Sequence, residues 1–392
     1  MKTIRELDLA GKRLLIRVDF NVPRDESGTI TDDLRIRTVL PTIEYALEQE
    51  AKVILCSHMG RPKGQRVEQY SLKPVAKYLS DILGKDVTLA PDCIGPETES
   101  VVSAMQNGDV VLLENLRFHA QEQENDQEFA RELSRLADVY VNNAFAVSHR
   151  AHASVVGVPA YCREKAAGFL LQKEMDYFHR SIDNPVRPLV AIVGGAKVSS
   201  KLGALKNMLD KVDCMLIGGA MANTFLKSQG YAVGQSKVEN DLLDDARELL
   251  DTASQIGVKI YLPVDVIAAE SFSADAVNKQ VTIQDIPENW MALDVGPATV
   301  ICFTEVLAEA RTIIWNGPMG AFELDAFARG TMALAHAVGA AHALSITGGG
   351  DSNAAVKKSG EAENISYMST GGGAFLMLME GKELPGVVAL EA

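Results

Sequence analysis

The sequence predicts an α/β protein built from two doubly wound parallel sheets. Three observations lead to this. Short apolar, β-branched runs alternate with stretches of helical periodicity, the pattern of parallel strands joined by crossover helices. The alternation breaks once, around Asn184-Pro185 and Arg187-Pro188, and then resumes. And 392 residues at 47% hydrophobic and 23% charged content supply enough chain for two sizeable cores.

Taken in order, residues 12–20 (KRLLIRVDF) read as a strand with Leu14, Ile16, Val18 and Phe20 on one face. Ile36, Val39, Leu40, Ile43 and Leu47 follow at helical spacing, with Pro41 marking a first turn or a kink. Residues 51–57, 110–113 and 139–141 are continuous apolar runs of the buried parallel kind. Between them, 71–83 and 126–136 carry amphipathic patterns. After Gly168 a helical stretch, FLLQKEMDYFHR, leads to the prolines. The first lobe is therefore placed at 1–170, a connecting helix or hinge at 171–187, and the second lobe at 188–383. The second series of strands is expected at 189–193, 214–217, 259–262, 312–315, 343–347 and 365–369. Residues 331–350 lack Asp, Glu, Lys and Arg but contain two histidines and a glycine run. They read as a buried helix, a turn and a buried strand, not a membrane span.

The net charge of −14 argues against general binding to nucleic acid or an anionic membrane, so any cationic site must be local. Five scattered cysteines with no CxxC pair fit reduced thiols in a cytoplasmic protein. The start, MKTIRELDLAGKR, has no apolar core of a signal peptide. No long exposed apolar stripe demands a partner, so a monomer is expected.

Ligands of open α/β sheets bind beyond the carboxyl ends of the strands. In the first half those ends deliver Asp19 and Asn21, then His58, Arg61 and Lys63, then Arg117 and His119, then His149, Arg150 and His152, while Arg35 opens a helix. Arg suits phosphate and carboxylate because its planar fork donates two bonds at once. A small, multiply charged anion is implied. In the second half the strand ends are glycine turns: GGAKVSSK with Lys197 and Lys201, GGAMANTF, NGPMGAFE, GGGDS and TGGGAF. Such turns opening helices offer backbone N–H groups to phosphate and a flat slot to a base. Asp351 beside a phosphate site suggests a bridging Mg²⁺. GxxxxGK[ST] is absent, and so is GxGxxG with a trailing acid, which weakens a nicotinamide-dependent oxidoreductase as an alternative. A non-catalytic interaction protein on the same fold is a second alternative.

The segments RVDFNVP, SHMGRPKG, LLENLRFH, HRAHAS, GGAKVSSK, WNGPMGAFE, GGGDS and STGGGAFL, in this order, closely resemble the phosphoglycerate kinase family over nearly the whole chain. The resemblance implies two Rossmann-like lobes joined by a helical hinge that closes the cleft. One lobe would take 3-phosphoglycerate or 1,3-bisphosphoglycerate and the other MgADP or MgATP, with the 384–392 tail returning to the first lobe. By resemblance, Asp19, Phe20, Asn21, Arg35, His58, Met59, Gly60, Arg61, Arg117 and Arg150 match acid-substrate positions. Gly195, Lys197, Lys201, Gly219, Gly296, Asn316, Glu323, Gly349, Gly350, Asp351 and Ser352 match nucleotide positions, with Glu323 holding the ribose and Asp351 the metal. Arg35, Lys197 and the backbone N–H groups of Gly350 and Gly373 would serve the transfer. Both nucleophiles of such a transfer are anionic oxygens, so no general base is needed, in keeping with the lack of any base motif. The chain departs from the family where N-D-A-F-G is usual: it has Asn143 and Ala146. The charge pairing of that Asp is lost, which bears on the orientation of the Arg150 loop.

Overall fold

Apolar runs that cannot be solvated on either face become the central strands of parallel sheets. In the computed structural model, which describes all 392 residues, the chain divides into two units, Met1–Met175 with Glu383–Ala392, and Asp176–Lys382. The first unit contains β1 (Arg13–Arg17), β2 (Lys52–Cys56), β3 (Val87–Leu89), β4 (Val110–Leu112), β5 (Val139–Asn142) and β6 (Glu164–Ala167), in the order β3-β4-β2-β1-β5-β6. Every pairing is parallel.

Period-two alternation divides the faces of this sheet. Leu14, Ile16, Val53, Leu55, Val110, Leu112, Val139 and Val141 form one buried face, covered by Ile43 and Ala46 of helix Leu40–Glu48 and by Val75 and Leu79 of helix Lys73–Leu83. Leu15, Ile54, Val111 and Tyr140 lie on the other, and so does Arg17, fully buried at the end of β1.

The strand expected over 12–20 leaves the ladder after Arg17. Val18 still donates to the Cys56 carbonyl, but the Phe20 N–H is taken by the Ser57 hydroxyl (2.8 Å), which frees Asp19 and Asn21 for the sheet edge. The single helix expected around Pro41 is two, Leu34–Arg37 and Leu40–Glu48, with Pro41 in the first turn of the second. There its missing N–H costs nothing.

The second unit contains β7 (Leu189–Val193), β8 (Cys214–Ile217), β9 (Lys259–Tyr261), β10 (Asp265–Ala269), β11 (Asn278–Thr282), β12 (Met291–Val295), β13 (Thr312–Asn316), β14 (Leu344–Thr347) and β15 (Tyr367–Met368). A parallel sheet runs β15-β14-β13-β7-β8-β9 around Ile192, Leu216, Ile313 and Trp315. The residues at 331–350 form helix Arg329–Ala340 and β14. The sequence reading missed a separate antiparallel sheet, β11-β10-β12. Its β11 reads Asn-Lys-Gln-Val-Thr and is almost wholly exposed, so no apolar run announces it. No helix is long and apolar enough to cross a membrane.

The last helix, Pro385–Glu391, packs within the first unit: the Gly386 N–H donates to the Ser148 carbonyl (2.9 Å). A Cβ on Gly386 would lie 2.7 Å from Val155 Cγ1 and 3.1 Å from Ser148 Cα. Helix propensity favours Ala over Gly by about 1 kcal/mol, but overpacking a closed contact costs about 1–3 kcal/mol. Gly386→Ala is therefore expected to destabilise the protein, read as a lower urea midpoint; a raised midpoint would show the contact to be slack.

Candidate functional site

In the first unit four neighbouring strands, β4, β2, β1 and β5, end at one edge of the sheet. The connection direction reverses between β1 and β5, where open α/β sheets form their crevice. After β1, the Asp19 carboxylate receives Arg35 (2.5 Å) on one oxygen and the Asn21 N–H (3.1 Å) on the other. After β2, the Gly60 N–H donates to the Asn21 side chain (2.9 Å), and the Gly60 carbonyl accepts from Arg117 (2.8 Å), which follows β4. Gly60 has φ 59° and sits against the Tyr70 ring, so no side chain fits there. Asn115 joins these two strand ends. Its side-chain oxygen accepts from the N–H groups of Met59 and Arg117, and its amide donates to the carbonyls of Met59 and Tyr70.

Asp19, Asn21, Arg35, Gly60 and Arg117 are thus one hydrogen-bonded set, with His58 Nδ1 beside it, 3.7 Å from Asp19 Oδ1. Phe20 is a buried core side chain that contributes its backbone, and the Met59 side chain is buried. Arg61 and Arg150 are exposed at the same edge without joining the set, and Arg150 donates to His149 Nε2 (3.3 Å). Arg117 is buried, and its Nε has no acceptor. Burial, with Arg17 and Arg150 nearby, pulls its pKa down to about 10. An anion would supply both the missing acceptor and the missing charge.

Asn143 is not part of this set. Its side-chain oxygen accepts from the Leu170 N–H (2.9 Å) at the start of helix Phe169–Phe178, and its Nδ2 has no partner. The expected disturbance of the Arg150 loop has no contact to act through; that turn is held by Asn142, bonded to Ala144 N–H and Ser148 Oγ.

In the second unit the turns after β7, β8, β13 and β14 are glycines because neighbouring backbone or side-chain atoms press against them. A Cβ on Gly194 would lie 2.1 Å from the Pro318 carbonyl oxygen, and one on Gly218 2.3 Å from the Met319 sulfur. Asn316 donates to the Gly348 carbonyl (2.7 Å), and the Ser352 hydroxyl accepts from the Gly317 N–H (2.6 Å). Gly349 has φ 101° and caps helix Gly350–Ser359, while Gly372 opens a second helix. A Cβ on Gly372 would meet Gly349 Cα at 3.0 Å, so two helix N-termini lie side by side, with Gly350 and Gly373 exposed. Their positive ends add.

These turns wall a cavity of ≈ 480 Å³ that Gly195, Gly219, Glu323 and Asp351 line. Lys201 lies beneath it, donating to the carbonyls of Gly194 (2.6 Å) and Asn316 (2.8 Å). Burial lowers its pKa to about 8, against the opposing pull of Asp351. Lys197 is exposed on the same turn. Gly296 is pressed against Asp265 at the start of helix Pro297–Glu309 and is not among the residues lining the cavity. The sequence reading missed the far wall: Gln235, Lys237, Phe272, Met291 and Leu293. Phe272, an exposed aromatic in a polar loop, was the one available signal.

A family model, "Phosphoglycerate kinase", matches residues 4–382. The chain is 68% identical to the phosphoglycerate kinase of Desulfotalea psychrophila over 100% of both chains. It is 58% identical to that of Geobacter sp. strain M21, covering 99% of this chain and 98% of the relative. The solved phosphoglycerate kinase of Coxiella burnetii superposes with TM-score 0.92 at 45% identity, covering 99% and 98% of the two chains. That of Pyrococcus horikoshii does so with TM-score 0.85 at 32% identity, covering 100% and 98%.

His58, His149 and His152 at the first edge are held toward the neutral form. Burial and then Arg17 and Arg117 hold His58 well below its usual range and bring His152 to about 3; burial and Arg150 lower His149. An unfolded histidine takes up a proton near pH 6.5, and these do not, so their contribution to stability is present above that pH and is lost as pH falls below it. For one such histidine the loss approaches at most about 1.4 kcal/mol per pH unit below 6.5. Urea unfolding between pH 7 and 5 is expected to show that extra slope in the native protein relative to His58→Gln; parallel curves would contradict it.

Proposed function

The chain belongs to the phosphoglycerate kinase family and carries out reversible phosphoryl transfer between 1,3-bisphosphoglycerate and ADP; on that premise we propose how its residues divide the work. The first unit binds the acid substrate. Arg117, Arg61, Arg150 and Arg35 supply charge-assisted bonds to phosphate and carboxylate oxygens, with Asn21 and His58 as neutral partners. The observation that carries this is the buried Arg117 Nε left without an acceptor at a sheet edge where several cationic side chains meet.

The cavity of the second unit takes the nucleotide. Glycine backbones at Gly195 and Gly219 on one side and Phe272, Met291 and Leu293 on the other make an apolar slot for a base. Glu323 accepts from the ribose hydroxyls. Lys201 and the N–H groups of Gly349 and Gly350 hold the phosphates, with Asn316 and Ser352 fixing those turns. Asp351 fits a Mg²⁺ that keeps its waters and phosphate oxygens: it is a single exposed carboxylate in the first turn of a helix that faces the cavity. Bound there, Mg²⁺ would neutralise phosphate charge.

Both nucleophiles are already anionic, so the protein's part is positioning and charge neutralisation. Asp19 holds Arg35 at 2.5 Å, which orients its guanidinium. Lys197 is a compact cation on a mobile stem. Together with the N–H groups of Gly350 and Gly373 they neutralise the transferring oxygens. Removing one such donor costs roughly 3–4 kcal/mol. Arg35→Ala and Lys197→Ala are each expected to lower kcat by at least about a hundredfold in ATP formation from 1,3-bisphosphoglycerate and ADP. Native kcat in either variant would remove that residue from the transfer step.

Lys201 gives a second test. It is half deprotonated at about pH 8 without ligand, and a phosphate beside it favours the charged form. ADP binding above that pH is expected to take up a proton and to weaken as pH rises. Calorimetry in two buffers of different ionisation enthalpy reads the uptake. Identical heats in both would exclude Lys201 as a phosphate ligand.

A further inference from the structure

Arg17 is a fully buried guanidinium at the end of β1, outside the set of groups that reach a ligand. Its bonds run across the sheet edge. Nε donates to the Ser154 hydroxyl (2.8 Å), one Nη to the Val18 carbonyl, and the other Nη lies 3.3 Å from His58 Nδ1. Ser154 in turn gives its hydroxyl (2.6 Å) and its N–H (2.9 Å) to Glu122, which is also fully buried. This polar chain joins the segments that follow β1, β2, β4 and β5.

The chemistry of the Arg17–His58 contact has one solution. A guanidinium has no acceptor and does not deprotonate, so the imidazole atom facing it must carry a lone pair. His58 Nδ1 is then bare, and its proton sits on Nε2. The competing carboxylate is Asp19, whose Oδ1 lies 3.7 Å from Nδ1, outside hydrogen-bond range, and which is already committed to Arg35 and the Asn21 N–H. The other charged or titratable groups around His58 are Arg117, Arg35 and His152, none of which favours a second proton on the ring.

We propose that Arg17, held by Glu122 through Ser154, is a positioning residue that fixes His58 as the Nε2–H tautomer, so that His58 offers the acid substrate a neutral hydrogen-bond donor. This rests on the reading of His58 as an acid-substrate ligand. Glu122 serves as the counter-ion that makes a buried guanidinium tolerable, and Ser154 sets the guanidinium plane. The arrangement separates two demands of the site: the arginines carry the charge that attracts the substrate, while His58 adds direction without a charge that varies with pH.

The test is long-range ¹H–¹⁵N correlation of histidine-labelled, ligand-free protein, with the His58 ring identified by its loss in His58→Gln. The expected pattern is a protonated Nε2 and a bare Nδ1, unchanged down to about pH 5 although a free histidine titrates near 6.5. A protonated Nδ1, or titration near 6.5, would overturn the proposal. In Arg17→Met the ring is expected to lose its fixed tautomer and to titrate toward 6.5. The KM for 3-phosphoglycerate should then gain an inflection in that range that the native enzyme lacks. Folded Arg17→Met with an unaltered ring spectrum would refute it. Ser154→Ala keeps the guanidinium and removes its Nε acceptor; a partial shift of the ring nitrogens is expected, and none would count against the chain. The ligand-free spectrum does not depend on the substrate assignment. An unchanged KM in His58→Gln would therefore strike the ligand role alone and leave the tautomer to be judged by the spectrum.

Discussion

The first unit is organised around one expensive constraint, a guanidinium buried in the sheet edge. Taking Arg17 out of water costs several kcal/mol, and that penalty is offset only if each donor meets an acceptor in good geometry. The acceptors belong to different strand ends: Val18 beside it, His58 after β2, and Ser154 after β5, backed by Glu122 after β4. No local segment can satisfy Arg17. The sheet must close in the correct order before the charge is paired, and a register slip would leave a buried cation without partners. The polar chain therefore ties the identity of the fold to the alignment of the loops that carry Asp19, His58, Arg117 and Arg150. A hydrophobic replacement could pack as well, but it would not fix which edge of each neighbouring ring or hydroxyl faces inward.

On the proposed reading, the two units would bind anions by opposite means. The first would use side chains, because a small, highly charged acid offers little surface and is held by the number and direction of charge-assisted bonds. The second uses backbone. Its turns approach so closely that Gly194 and Gly218 leave no room for a Cβ against Pro318 and Met319, and the resulting wall is thin and flat. Two helix N-termini beside Gly349 and Gly372 provide N–H donors in fixed directions, and the half-buried Lys201 sits beneath. Since those donors are part of the main chain, they need no ordering when ligand arrives. The chain's excess of acidic residues is compatible with both designs because each positive site is local.

Much of this was legible in the sequence because the physics is local there. The central strands are apolar runs, and the residue that follows each run is placed at the carboxyl edge of the sheet by topology alone. That is why Asp19, His58, Arg117 and the glycine turns could be read without coordinates. What was not legible depends on partners far along the chain. Glu122 reads as one of several acids in QEQEN, and nothing local marks it as buried beneath Ser154. Arg17 occupies a strand position that alternation assigns to a face, but only the fold shows that face to be closed. The β10–β12 sheet escaped because β11 is polar and exposed on an edge, where strand pairing needs no apolar pattern. Lys237 and Gln235 reach the cavity from a loop with no regular period, and Gly296, matched to a nucleotide position by resemblance, lies against Asp265, a neighbour that sequence alone does not place there.

Asn143 shows why a departure from a family pattern has to be read through its contacts. A carboxylate replaced by an amide beside an arginine-bearing loop looks like a change in the site's electrostatics. In the fold the side chain turns the other way. Its oxygen caps the first turn of helix Phe169–Phe178 at Leu170, next to Phe169, whose N–H goes to the Thr42 hydroxyl. Gly168 leaves the space that this contact needs, since a Cβ there would fall 2.4 Å from the Asn143 oxygen. An amide oxygen can make that cap, but its Nδ2 is buried without an acceptor, and a lost bond of that kind costs about 1–3 kcal/mol. A carboxylate would cap the positive end of the helix and leave no donor stranded, but it would bury a charge with one oxygen where Nδ2 now finds no partner. The substitution therefore bears on helix stability. The Arg150 turn rests on Asn142, whose oxygen holds Ala144 and whose amide reaches Ser148 and the Gly386 carbonyl, and the residue that orients the arginine loop is the neighbour that did not change.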